Sequence, residues 1–138
     1  MRHRILVVED NQASRELLTD WLEAAGFEVM AAQNLEQAFV AFKTQKPEAV
    51  LLDIQLGTED GLTLVAWVRQ KQKSSTIPVI AVTAHARATD KERIIQAGCN
   101  ACISKPIDFM LLREQLQQWL TVARVIRQKT PVEGVTLS

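Results

Sequence analysis

Apolar and polar positions alternate along this chain in two rhythms. Short apolar runs are followed by longer segments in which apolar residues recur every three or four positions. "RILVVED" (Arg4–Asp10) reads as a strand. From Ser14 to Ala25, Leu17, Leu18, Trp21, Leu22 and Ala25 recur at helical spacing, and Gly26 suits the left-handed stop after them. "FEVMAA" (Phe27–Ala32) reads as a second strand. Asn34 suits the cap of a helix from Leu35 to Thr44, with Leu35, Ala38, Phe39 and Phe42 on one face. "AVLLD" (Ala49–Asp53) reads as the third strand.

The second half repeats the pattern. Gly61 to Gln70 reads as a helix, and Lys71 to Thr76 as a polar loop. "IPVIAVTA" (Ile77–Ala84) reads as a strand, with Pro78 near its start, where a missing donor is tolerated. Asp90 to Ala97 reads as a helix stopping at Gly98, and "ACIS" (Ala101–Ser104) as a short fifth strand. The last helix is expected from Asp108, a good N-cap, to Arg127, with Leu112, Leu116, Trp119, Ala123 and Ile126 inward. Met110, Leu111, Val122 and Val125 form a second apolar stripe, suited to a dimer or partner face or to cover by the tail.

Strict strand–helix alternation predicts an α/β fold: a doubly wound five-stranded parallel sheet with five helices, flavodoxin-like. Strands one, three and four are continuously apolar, as strands covered on both faces should be. Ligands of such sheets sit at the carboxyl ends of the strands. Residues 1–128 are expected to form one domain. Residues 129–138 lack helical periodicity and read as a mobile tail, with no output domain.

Composition narrows the function class. The 138 residues carry 16 basic and 16 acidic side chains, so no charge excess argues for nucleic acid or a membrane surface. No apolar run is long enough for a signal peptide or a membrane span, which leads us to expect a cytoplasmic protein with reduced cysteines.

The strand ends carry the chemistry. Glu9 and Asp10 follow strand one, Asp53 ends strand three, Thr83 lies near the end of strand four, and Lys105 follows strand five. Any one of these alone is an ordinary turn, strand or surface residue. Together they bring three carboxylates, a hydroxyl and an ammonium to one rim. Clustered carboxylates are costly unless a cation neutralises them. Hard oxygen ligands select Mg2+, which leaves a place for a phosphoryl oxygen. A carboxylate can attack phosphorus to give an aspartyl phosphate.

These motifs, "ILVVEDN", "VLLDI", "GLTLV", "PVIAVTAHA" and "CISKPID", resemble a CheY-like receiver domain of two-component response regulators, from Arg4 to Ala123. The chain looks most similar to stand-alone or hybrid-kinase-type receivers. The resemblance implies a switch protein rather than an enzyme. A histidine kinase or histidine phosphotransfer protein would place a phosphoryl group on Asp53. Glu9, Asp10, Asp53 and the backbone carbonyl of Gln55 would hold Mg2+. Thr83 and Lys105 would bind the phosphate, Gln55 and His85 would tune its hydrolysis, and the bond before Pro106 would be cis. Output would be a protein contact through strand five and the last two helices, made by a monomer or weak homodimer.

Two departures stand out. Leu56-Gly57 replaces the family's usual Met-Pro, which predicts a more mobile loop. Cys102 occupies the position of the usual aromatic switch residue, which shifts the expected coupling to the Thr83–His85 loop and the next helix. Two rivals remain. A haloacid-dehalogenase-type phosphatase would need a second acid two residues after the nucleophile, where Gln55 stands. A pseudo-receiver or redox-sensing scaffold would use Cys99 and Cys102. That C-x-x-C follows a helix and enters a strand, the reverse of a thioredoxin-like setting. Two thiols without histidines also make a poor zinc site.

Overall fold

The computed structural model describes residues 2–71, 76–84 and 87–129; side chains are described as far as 126. The expected tail lies outside the described residues apart from Lys129, the last residue of its helix. Five parallel strands form the main sheet: β1 (Arg4–Val8), β2 (Glu28–Ala32), β3 (Ala49–Asp53), β6 (Val79–Thr83) and β7 (Ala101–Ser104). Their order is β2-β1-β3-β6-β7, so the winding reverses between β1 and β3. Two short strands, β4 (Gln55–Leu56) and β5 (Glu59–Asp60), form an antiparallel hairpin directly after β3.

Period-two alternation splits the apolar strand residues between two cores. Leu6, Val8, Val50 and Leu52 face one core, closed by α2 (Leu35–Gln45), α3 (Leu62–Gln70) and α4 (Ala88–Gln96). Ile5, Val7, Ala49 and Leu51 face the other, closed by α1 (Gln12–Ala24) and α5 (Phe109–Lys129). This double covering is why β1, β3 and β6 could be apolar throughout.

Side-chain caps set three helix starts. Asn11 accepts from the Ser14 N–H at 2.9 Å, so α1 begins two residues before the expected Ser14. Asn34 accepts from Gln37 N–H at 2.8 Å. Asp108 accepts from the N–H groups of Met110 and Leu111. Each relieves a donor that the first helical turn leaves orphaned.

Three expectations need correction. Leu17 is 58% exposed, so the inward face of α1 is narrower than its periodicity suggested. On α5, Leu120 rather than Trp119 joins Leu112, Leu116 and Ala123 in the core, and Ile126 is exposed. The segment after Asp53, expected as a loop, forms a short hairpin instead: Leu56 is buried, and Glu59 Oε1 accepts from the Leu35 N–H at 3.2 Å, tying the hairpin to α2. No described helix is long and apolar enough to cross a membrane.

Candidate functional site

Parallel strands in register bring their carboxyl ends to one edge. β1 delivers Glu9 and Asp10 beside β3, which ends in Asp53, and Asp53 is level with Val82 of β6, one residue before Thr83. Thr83 is in turn level with Ser104, and its carbonyl accepts the Lys105 N–H at 2.9 Å. Residues from four strand ends therefore share one edge of the sheet. Glu9, Asp53 and Thr83 are the buried polar or charged side chains among the described residues. Asp10 is exposed, and Lys105 reaches in from partial exposure.

The Lys105 ammonium bridges two carboxylates. Its Nζ lies 3.1 Å from Asp53 Oδ2 and 3.3 Å from Glu9 Oε1. The other Asp53 oxygen accepts the Gln55 N–H at 3.0 Å, so both oxygens are oriented by donors. Arg15 donates to the Glu9 carbonyl at 2.9 Å, fixing the turn between β1 and α1.

Burial and neighbouring charges shift both the acid and the base of this cluster. Burial, then hydrogen bonding to and repulsion by Asp53, push the Glu9 carboxyl up to about 7 against the pull of Lys105. Burial works against the Lys105 charge, but Asp53 and Glu9 outweigh it and carry the ammonium above its usual pKa.

Oxygens of Glu9, Asp10 and Asp53 lie within 4.8 Å of one another. A cluster of three carboxylates, one of them driven towards protonation by its neighbours, fits a small divalent cation such as Mg2+. A cleft of about 510 Å3 opens beside Thr83, between Gln55 and Glu59 of the hairpin and Asp90 and Arg93 of α4.

Two glycines border the site, Gly57 at ordinary contact distance and Gly61 much closer. Gly57 has φ +62°, and a Cβ there would lie 3.9 Å from Asp10 Oδ2. Gly61 is more constrained: a Cβ would sit 2.5 Å from the Asp53 carbonyl oxygen. The signal for Gly61 was its place just before an apolar helix, eight residues after Asp53.

The remaining expected positions sort clearly. The Lys105–Pro106 bond is cis. Cys102 is half-buried against the α2–α4 core, as a small filler rather than a ring. Cys99 precedes β7 and is buried in that same core, so both thiols lie on one side of the sheet. Both are free; burial pushes Cys99 up to about 12 and also raises Cys102. His85 falls outside the described residues.

Comparison with known proteins agrees with this geometry. The profile of the response regulator receiver domain matches residues 5–117. The polar-differentiation response regulator DivK of Brucella anthropi is 38% identical over 120 residues, spanning 87% of this chain and 98% of that protein. A putative response regulator from Chloroflexus aurantiacus superposes with a TM-score of 0.83 at 30% identity, covering 88% of this chain and 99% of that one. A CheY-like receiver domain protein from Methanospirillum hungatei gives 0.82 at 25% identity, covering 90% and 98%. With its strand-end acids, its lysine and this match over most of its length, the chain belongs to the response regulator receiver domain family.

Proposed function

We propose that this receiver accepts a phosphoryl group on Asp53 and thereby switches its protein contacts. The observation that carries the reading is the Lys105 ammonium held between Asp53 and Glu9 in a three-carboxylate cluster. A carboxylate oxygen of Asp53 attacks phosphorus. The bond from phosphorus to the donor imidazole, on a histidine kinase or phosphotransfer protein, breaks, and the nitrogen keeps the electron pair. Such a transfer needs mainly positioning and charge neutralisation. The Gln55 N–H orients one oxygen of the nucleophile, and Lys105 stands ready for a phosphoryl oxygen. Glu9, Asp10, Asp53 and the Gln55 carbonyl would hold Mg2+, which supplies neutralisation of the charge developing on the phosphoryl oxygens.

Phosphorylation adds about two negative charges. The Thr83 hydroxyl and Lys105 then pair with them, and the segment leading into α4 follows. Gln55 sets access of the hydrolytic water, and His85 is proposed to share that role. Output runs through α4, β7 and α5, where Met110, Leu111, Val122 and Val125 are exposed. Cys102 leaves that route without a ring to swing, so the coupling rests on Thr83 and α4. We place the protein in the cytoplasm as a monomer or weak homodimer that turns over no substrate of its own.

The test is intact mass after treatment with acetyl phosphate and Mg2+. A phosphate-sized gain in wild type, absent in Asp53→Asn and lost with chelator, supports the reading. A gain that persists in Asp53→Asn, or none in either protein, overturns it.

A further inference from the structure

A second candidate site lies at the opposite end of the sheet. Between the C-terminal ends of α2 and α3 is a pocket of about 340 Å3 floored by Phe42, Trp67 and Ile77 and rimmed by Lys43, Lys46 and Lys71. Trp67 is fixed from behind by Phe39 and Phe42, whose rings lie 5.1 and 5.3 Å away. Lys43 and Lys71 place their ammonium groups 5.9 and 4.9 Å from the centre of the same indole. Two cations drawn to one ring attract it but repel each other. Among the described residues that line this pocket none is a carboxylate.

The third lysine adds an independent observation. Lys46 has φ +49°, the one left-handed non-glycine residue among those described. Glycine or asparagine is the favoured residue at such a helix end. The Arg4 guanidinium binds the Lys46 carbonyl at 3.0 Å and holds the turn. A long cation is thus fixed at the pocket rim at a position where its backbone is disfavoured.

We propose that this pocket docks an acidic peptide segment of a partner protein. One large apolar side chain enters over Trp67, and flanking carboxylates pair with Lys43, Lys46 and Lys71. The volume suits one such anchor, and an aromatic anchor in an apolar pocket ringed by charges is how compact peptide sites gain affinity. The three lysines are exposed, so they can meet residues on either side of the anchor. A flat anionic membrane has nothing to fill the pocket. The site lies beyond the amino end of β3, a strand length of about 17 Å from Asp53. Docking there leaves the phosphorylation edge free, so binding is independent of phosphorylation.

The test is titration of 15N-labelled protein with the capped peptide Glu-Asp-Glu-Phe-Glu-Asp-Glu, read at the three tryptophan indole N–H signals. The expected result is a saturating shift of Trp67 that weakens as salt rises. Replacing the phenylalanine by alanine, or reversing Lys43 and Lys71 to Glu, weakens binding about tenfold. Both lysines are exposed, and the rest of the spectrum verifies the fold of the reversed variant. Asp53→Asn binds as wild type, which separates this site from the phosphorylation reading. The proposal is overturned by no saturable shift at millimolar peptide, by shifts centred on Trp21 or Trp119, or by equal binding of the glutamine–asparagine version. Phenylacetate binding as tightly as the peptide also overturns it, as does binding of phosphatidylserine vesicles in place of the peptide.

Discussion

Gly61 abuts the backbone of Asp53: a Cβ on the glycine would stand 2.5 Å from the aspartate's carbonyl oxygen and 3.1 Å from atoms of Ile54. The start of α3 is therefore seated on the end of β3 with no room for a side chain. The Gly61 N–H also donates to the Ile54 carbonyl at 2.8 Å. Both obstacles are backbone, so neither can rotate aside. Gly61→Ala is expected to cost about 1–3 kcal/mol, as overpacking does. It should also slow phosphorylation of Asp53 more than this loss explains, because the strain falls on the nucleophile's own peptide. Urea unfolding and the acetyl phosphate reaction, measured on one preparation, check both parts.

A divalent cation bound by this cluster would compete with Lys105 for the same carboxylates. The ammonium lies within 3.4 Å of both Glu9 oxygens and 3.1 Å from Asp53. Removing it leaves the acidic cluster more negative. Lys105→Met should therefore bind Mg2+ several-fold more tightly than wild type at pH 8, since one nearby charge at partial exposure is worth about 1 kcal/mol. The same variant should lose any phosphorylation-dependent change in its spectrum. Calorimetric titration with MgCl2 gives the first quantity. Weaker Mg2+ binding in the variant would mean that the lysine holds the carboxylates in place more than it repels the ion.

The thiols separate a packing role from a redox one. Cys99 is buried with its pKa pushed up to about 12, against an ordinary 9.0, which lowers its thiolate population about a thousandfold near neutral pH. Cys102 is half-buried and raised by burial, though Lys91 pulls the other way. In native protein at pH 8, a maleimide should label Cys102 slowly and Cys99 only at the rate of unfolding. The Cys99→Ser/Cys102→Ser variant should still take phosphate on Asp53. Rapid labelling of both thiols, or loss of phosphorylation in the double variant, would restore the redox reading.

What the sequence revealed follows from what is local. Continuous apolar strands ending in Glu9, Asp10 and Asp53 are a period-two signal, and parallel winding then decides which edge those acids share. Other features depend on partners distant in the chain. Arg69 lies near the end of α3. Its guanidinium binds the Gly98 carbonyl at 2.8 Å, the Ile77 carbonyl at 2.7 Å and Asn100 Oδ1 at 2.8 Å. That clamp joins α3 to the segments that lead into β6 and β7 and leaves no trace in periodicity. The β4–β5 hairpin has two residues per strand, too few to alternate. On α5 the periodicity placed Trp119 inward, but the adjacent Leu120 is the buried residue. Trp119 uses its N–H on Gln115 Oε1 at 3.1 Å, near the surface, and Leu120 takes the core.

Glu9 gives the site a pH dependence whose sign can be worked out. Its carboxyl is raised from 4.5 to about 7 by burial and by Asp53. A raised carboxyl binds its proton more tightly in the folded state, so the stability it contributes is present below about 4.5 and is lost as pH rises through about 7. Lys105 is raised from 10.5, so its contribution is present below that value and lost only above it. Glu48 is lowered: burial alone would raise it, but the hydrogen bond from His3 and Arg4 outweighs that, so its contribution is lost only below about 4.5. Neither acts between pH 5 and 7. Metal-free protein should therefore lose stability across that interval relative to Glu9→Gln, as read by urea unfolding in chelator. If Glu9 helps to hold Mg2+, the ion displaces the same proton, so its affinity should rise about tenfold from pH 6 to pH 8 and level off above. Glu9→Gln should bind Mg2+ more weakly with a flatter profile. A Mg2+ affinity in wild type that is independent of pH over this range would show that Glu9 is not among the groups that hold the ion.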